Sequence, residues 1–251
     1  MTADVPASAP PAPLPAGPEF LREARDIEIE AFGRRFVGHA CRFDLHAYHD
    51  ELFARHAIAF VPQLQRAVAK RRGEYLAGRI CARRALGRLG IAAGTIAIGP
   101  DREPLWPPGA IASISHAGDR ALCIASSDAE VIGLGVDIER GIGPELAEQI
   151  RGVVVDADEE ALIRAGFEDF PFGLAAAFSA KESLYKALFP QVRRFFGFEA
   201  MRLIRVEPRG LVFAAAQTLA PGVRAGQRFA VDCHGEDGGV RSIACILRSA
   251  D

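Results

Sequence analysis

Two short stretches of this sequence set carboxylates and amines where they could do chemistry together. In Val131-Ile-Gly-Leu-Gly-Val-Asp-Ile-Glu139, Asp137 and Glu139 stand two apart in a strand-like run. Their side chains therefore share one face, about 7 Å apart along the backbone. Val136 and Ile138 point the other way, into a core, and Gly133 and Gly135 leave open space on the carboxylate face. Two like charges so placed repel and raise each other's pKa. A hard divalent cation such as magnesium, which prefers oxygen ligands, removes that cost. The same spacing also suits a solvated strand edge with Arg140 as a surface partner.

The second stretch is Phe178-Ser-Ala-Lys-Glu-Ser-Leu-Tyr-Lys-Ala-Leu-Phe189. Its period is helical, and Leu174, Phe178, Tyr185, Leu188 and Phe189 form one apolar stripe. Glu182 falls on the edge of that stripe, Lys186 lies one turn beyond it, and Lys181 sits on the other flank. A carboxylate on a core-facing edge is costly unless paired. It pairs either with Lys186, as a helix ion pair worth roughly 0.2–0.5 kcal/mol, or with a cation shared with Asp137 and Glu139. Helix geometry alone allows both.

Anion binding is the chemistry suggested upstream. From Arg66 to Arg88 the chain carries eight basic residues (Arg66, Lys70, Arg71, Arg72, Arg79, Arg83, Arg84 and Arg88) against one acid, Glu74. Such a patch asks for an anionic partner, although Arg and Lys also coat exposed helix faces. His116 follows Ser113-Ile-Ser115 in a tight turn, where a lone His commonly has a structural role. The segment Arg193-Arg-Phe-Phe-Gly-Phe198 mixes charge and aromatics. It could touch an acidic partner, but Phe196 and Phe198 alternate as core residues entering a strand do.

The elements that must hold these groups read as α+β. Phe36–Leu45, Ile111–Ser115, Ala121–Ala125 and Val131–Glu139 are strand-like. Ala59–Leu89 carries a long helical pattern ending at Gly90, a C-cap residue. Asp156 opens a helix with acids in its first turn, and a second long helix runs from Phe172 to Phe189, stopped by Pro190. Gly210–Ala214 and Ser242–Leu247 belong to a closing meander of strands. The order predicts two similar α+β lobes, 19–130 and 131–251, with a seam near residue 130, behind a disordered Pro/Ala-rich tail at 1–18.

Composition narrows the function. The 251 residues are 49% hydrophobic, enough for a sizeable core. A net charge of −2, from 30 basic and 32 acidic residues, argues against a nucleic-acid partner. No apolar run near 18 residues could span a membrane, and the tail lacks the basic and apolar regions of a signal peptide. Cys41, Cys81, Cys123, Cys233 and Cys245 are odd in number and widely spaced, which reads as small buried hydrophobes in a reducing cytoplasm.

Together the two motifs resemble the 4′-phosphopantetheinyl transferase superfamily, whose members carry a G-x-D-x-E strand and then a W/F-x-x-K-E-x-x-x-K helix. Here these stand as Gly135-Val-Asp137-Ile-Glu139 and Phe178-Ser-Ala-Lys181-Glu182-Ser-Leu-Tyr-Lys186. Lys70-Arg71-Arg72-Gly-Glu-Tyr-Leu-Ala-Gly78-Arg79, Arg102-Glu-Pro-Leu-Trp-Pro107 and Ser113-Ile-Ser115-His116 resemble further segments of its enterobactin-synthase branch. Many large members have Trp where this chain has Phe178, but Phe occurs there in that branch.

The resemblance implies a pair of α+β lobes with the site in the cleft between them. It implies transfer of the phosphopantetheine arm of coenzyme A to a serine of an apo carrier protein, releasing adenosine 3′,5′-bisphosphate. Asp137, Glu139 and Glu182 would hold magnesium, and Asp137 would thereby also help bind coenzyme A. Arg71 and Arg79 would grip its 3′-phosphate. Arg102 and His116 would contact phosphates with Ser115 beside them, and Lys181 and Lys186 would reach the pyrophosphate. Lys186 and His116 would add charge on the leaving side, and Glu182 or a metal-bound water would take the serine proton. A monomer in the cytoplasm serving siderophore or other secondary-metabolite carriers is expected. A metal-dependent nuclease or phosphatase and a non-catalytic coenzyme A or carrier-binding module are the alternatives.

Overall fold

The computed structural model describes residues 19–248. The stretch 1–18, expected to be a disordered tail, lies outside the described residues, as do 249–251. The fold is α+β, built on two antiparallel sheets.

The first sheet comprises β1 (Leu21–Ala31), β2 (Arg34–Phe43), β3 (Ile111–Ala117) and β4 (Arg120–Ser126), in the order β1-β2-β4-β3. β1 has no counterpart in the sequence reading. Arg22, Glu23, Arg25, Asp26, Glu28 and Glu30 mask its alternation, and such charges are what an edge strand carries to deter further pairing. After the short helix α1 (Leu52–Arg55), helix α2 (Ala69–Arg88) lies across this sheet, with Leu76 and Leu86 wholly buried. The helical pattern of the sequence begins at Ala59. Instead, Pro62–Leu64 form a 3₁₀ turn, Val68 is extended and 70% exposed, and α2 starts only after it. The 3₁₀ turn buries Leu64, and that mimicked the helical period. Gly90 has φ +74°, the left-handed conformation of a C-terminal glycine, and follows the last helical turn.

The second sheet runs β5-β9-β8-β7-β6, from β5 (Val131–Arg140), β6 (Met201–Glu207), β7 (Gly210–Ala215), β8 (Arg228–Glu236) and β9 (Gly239–Leu247). Before it returns, the chain forms α3 (Pro144–Val154), α4 (Ala157–Gly166) and α5 (Phe170–Val192). Asp156 caps α4 in a reciprocal capping box with Glu159. α5 runs past Pro190 to Val192, with Arg193 in the left-handed conformation as its cap. Pro190 sits in the last turn, and the helix ends two residues beyond it.

α5 is buried on most of its circumference rather than along one stripe. Ala176, Ala177, Ser179, Ala180, Ser183, Leu184 and Ala187 are all at or below 1% exposure. Gly133 and Gly135 explain how it comes so close. A Cβ on Gly135 would lie 1.8 Å from Ser183 O, and one on Gly133 would lie 2.2 Å from Ala187 O. These glycines therefore do not open space beside the carboxylates. They let the α5 backbone settle directly on β5.

The sheets meet edge to edge at β3 and β5. β5 pairs with β9 on one side, and the N–H groups of Val136 and Ile138 face the other way. They donate to the hydroxyls of Ser113 and Ser115, at 2.9 and 3.2 Å. An apolar layer backs this seam, Phe36, Leu122 and Ile124 from the first sheet against Val136, Ile138 and Ile243 from the second.

Gly135→Ala should lower stability by about 1–3 kcal/mol or more, because a backbone carbonyl must move aside. Gly87→Ala, a helix-interior change with no atom within 4 Å of the added carbon, should raise stability by roughly 0.5–1 kcal/mol. Denaturant midpoints of the two variants check the contrast.

Candidate active site

Asp137 lies at the centre of the seam and is 4% exposed. Its Oδ1 accepts from Ser115 Oγ at 2.8 Å and from Lys186 Nζ at 2.7 Å. Its Oδ2 is buried and has no hydrogen-bond partner among the described residues. Lys186 reaches across from α5 and also donates to Val136 O at 3.0 Å, the outward carbonyl of β5. The Ser115 hydroxyl is fully occupied, since it donates to Asp137 and accepts from Ile138 N and Lys186 Nζ. In this arrangement it fixes Asp137 and has no donor left for a phosphate.

Glu139 and Glu182 complete the acidic group. Burial, helped by the Asp137 and Glu182 charges and opposed by Lys186, pushes Glu139 up to about 7. Burial also raises Glu182, with Asp137 adding to the rise and Lys186 opposing it. Glu182 and Lys186 are thus more than a surface helix pair, because the ammonium is spent on Asp137. Among the described residues no three Asp, Glu, His or Cys side chains stand close enough together to enclose an ion as they are. The donor set nevertheless fits a hard cation. One carboxylate oxygen is stranded in the interior, and two neighbouring carboxyls have their ionised forms disfavoured. Unpaired buried acceptors are rare for a physical reason, the lost hydration.

His116 is the next-to-last residue of β3 rather than part of the turn, which shrinks to Gly118-Asp119. Burial lowers its pKa, with Glu74 opposing and Arg71 and Lys186 assisting. The neutral ring can then accept from Arg71 Nη1 at its Nε2, 3.0 Å away. The sequence marks Glu74 only as the one acid of a basic helix, but the fold places it beside both groups. Its carboxylate is 3.8 Å from Arg71 and 4.0 Å from His116.

Arg79 faces elsewhere than Arg71. Eight residues of helix separate them by about 12 Å along the axis. Arg79 is buried, lies over the Tyr75 ring at 4.7 Å, and leaves its Nε without an acceptor. It lines a small cleft with Tyr75, Arg83, Thr95 and Ile96. The geometry does not bring the two arginines onto one phosphate. Arg102 is exposed, with φ +67°, on a loop whose Glu103 reaches Arg193 at 3.6 Å from the other sheet's side.

Lys181 departs most from expectation. It is 2% exposed, and its ammonium is held 2.8 Å from Glu159 on the side away from Asp137. It does not reach toward the cleft. Beside it, Lys181, Glu182, Tyr185, Phe195, Phe196, Phe198 and Met201 line a cavity of about 280 Å³. Phe196 is buried as the alternation suggested, but Phe195 is 79% exposed at the cavity's edge.

Residues 59–126 match the 4′-phosphopantetheinyl transferase N-terminal domain, and residues 133–220 match the 4′-phosphopantetheinyl transferase superfamily. The chain belongs to this superfamily. It is 37% identical over 174 residues to enterobactin synthase component D of Salmonella typhi, covering 67% of this chain and 70% of that protein. It is 39% identical over 146 residues to the 4′-phosphopantetheinyl transferase PptT of Mycobacterium tuberculosis, covering 55% and 60%. It is 35% identical over 174 residues to the 4′-phosphopantetheinyl transferase Svp of Streptomyces mobaraensis, covering 65% of each. Membership replaces the nuclease and binding-module readings with phosphopantetheinyl transfer from coenzyme A to a carrier protein. The described chain has no helix long and apolar enough to cross a membrane.

The raised carboxyls carry a pH signature. A group whose folded pKa lies above its unfolded value contributes stability that is lost as pH rises. In chelator, wild-type melting temperature should therefore fall between pH 4.5 and about 7 through Glu139, and Glu182 adds in the same sense. Glu139→Gln should flatten that fall. Melting curves of both proteins across this range check it, and parallel curves would contradict it.

Proposed function

We propose that this transferase works with magnesium in the cleft between its two sheets, moving phosphopantetheine onto carriers of siderophore or other secondary-metabolite synthesis, as a cytoplasmic monomer. The observation that carries the site is Asp137, with one oxygen held by Ser115 and Lys186 and the other buried without a partner. Asp137, Glu139 and Glu182 would hold the ion. Bound there, magnesium would neutralise and orient the pyrophosphate of coenzyme A.

The remaining work falls to the protein's own groups. The exposed Arg71 and the half-buried His116 beside it would meet phosphate oxygens at the cleft, with Arg102 as a further cation on its loop. Arg79, with its unpartnered Nε beside Tyr75, is the better candidate for the 3′-phosphate. The apolar cavity next to Glu182 suits the pantetheine arm. The carrier serine oxygen forms its bond to the β-phosphorus as the bond to the bridging oxygen breaks, and adenosine 3′,5′-bisphosphate leaves. Lys186 supplies positive charge for that departure. Glu182, whose pKa burial raises, would take the serine proton.

Arg79→Ala should raise the KM for coenzyme A by about 10- to 100-fold, as expected for a charge-assisted hydrogen bond worth roughly 1.5–3 kcal/mol. It should leave the KM for 3′-dephospho-coenzyme A nearly unchanged, and an equal rise on both would remove Arg79 from the phosphate site. Glu182→Gln should lower kcat on an apo carrier by on the order of 100-fold, without lowering the melting temperature in chelator. Normal turnover with a lowered melting temperature would leave Glu182 a structural residue.

A further inference from the structure

Lys181 adjoins Glu182 in sequence, yet its ammonium serves a different part of the molecule. Its three N–H donors meet Glu159 Oε1 at 2.8 Å, Val154 O at 2.8 Å and Phe198 O at 3.2 Å. That accounts for every hydrogen bond an ammonium can make. The two charged side chains are 1% and 3% exposed. Glu159 is equally committed, since Oε1 also accepts from Leu203 N and Oε2 accepts from Asp156 N at 2.9 Å. One ion pair thus joins α5 to the end of α3, the start of α4, the turn at Phe198 and β6.

The link to Phe198 bears on the cavity. Phe198 lines it, and one turn back along α5 Phe178 meets the Phe198 ring edge-on at 5.5 Å. The turn of α5 that carries Glu182 is therefore fastened to the opposite wall of the cavity by a charge-assisted contact and an aromatic one. A buried ion pair is a poor source of net stability, because desolvation offsets its attraction, but its directional contacts specify one arrangement.

We propose that Lys181 is a positioning residue: paired with Glu159, it fixes the Phe195–Phe198 wall against Glu182 and so sets how tightly the pantetheine end of coenzyme A is held. This rests on the reading of the cavity and Glu182 given above. A Lys181 that touched the pyrophosphate would have to abandon three buried acceptors, and Lys186 already supplies an ammonium at Asp137.

The test compares Glu159→Gln, Lys181→Met and the double variant. Transfer to an apo acyl carrier protein gives the KM for coenzyme A, and inhibition by adenosine 3′,5′-bisphosphate gives the affinity of the phosphate end alone. Both single variants should raise the KM by about tenfold or more, as misplacement of a binding wall does. The inhibition constant should stay put, and the double variant should be no worse than the worse single one. If Lys181→Met weakens the bisphosphate as much as coenzyme A while Glu159→Gln is harmless, Lys181 touches phosphate and the proposal is overturned. Lowered melting temperatures with unchanged KM values would overturn it as well. If Lys181→Met does not fold, the double variant, which strands no charge, carries the comparison. Failure of all three to fold would reduce the pair to a stability element and overturn the proposal. Normal turnover in Glu182→Gln is a separate result, which would sink the reading of the site and not this link.

Discussion

The outward edge of β5 is the constraint on which the site depends. A strand edge has backbone donors and acceptors that must be satisfied when buried. β5 is buried on this edge, yet among the described residues no strand pairs with it there. Side chains complete it instead. Ser113 and Ser115 accept from Val136 and Ile138, and Lys186 donates to the Val136 carbonyl. Two of these three groups also bind Asp137. The bonds that join the sheets are therefore the bonds that orient the central carboxylate.

The same arrangement explains the electrostatics of the cleft. Gly133 and Gly135 admit the α5 backbone to β5, which brings Glu182 and Lys186 down beside Asp137 and Glu139. Three carboxyls then share one ammonium in a partly dry space, and two have their ionised forms disfavoured. Such a site has unsatisfied affinity for positive charge. At the neighbouring end of β3, Arg71 offers the opposite sign, donating to the neutral His116 ring with the Glu74 carboxylate close to both. Carboxyls beside a guanidinium suit the metal ion and the coenzyme A phosphates proposed for this cleft.

Much of this was legible in the sequence where a local pattern matched a local cause. The alternation of Val131–Glu139, the period of α5 and the acids opening α4 all became the expected elements. Lys186 and His116 stand near Asp137, a grouping that the family resemblance implied and no local spacing shows. What escaped depended on tertiary contact. β1 was hidden by charges suited to an edge. The start of α2 was obscured because a 3₁₀ turn buried Leu64 at a helical interval. The glycines of β5 were read as open space, since nothing local shows that a helix backbone fills it. Lys181 looked equivalent to Lys186, and only the fold reveals Glu159 waiting on its side of α5. A capping-box glutamate that is also buried leaves no sequence signal beyond the cap.

If the seam both joins the sheets and builds the site, its two serines must differ in effect. Ser113 accepts from β5 and does nothing for Asp137, whereas Ser115 does both. The direct measurement is mass spectrometry of an apo carrier protein after incubation with coenzyme A, magnesium and wild type, Ser113→Ala or Ser115→Ala, beside the melting temperature of each enzyme. The account predicts that the two variants lose similar stability, that Ser113→Ala still adds phosphopantetheine to the carrier, and that Ser115→Ala adds it far more slowly. Equal transfer by both variants would contradict it, and no transfer by the wild type would contradict the function itself.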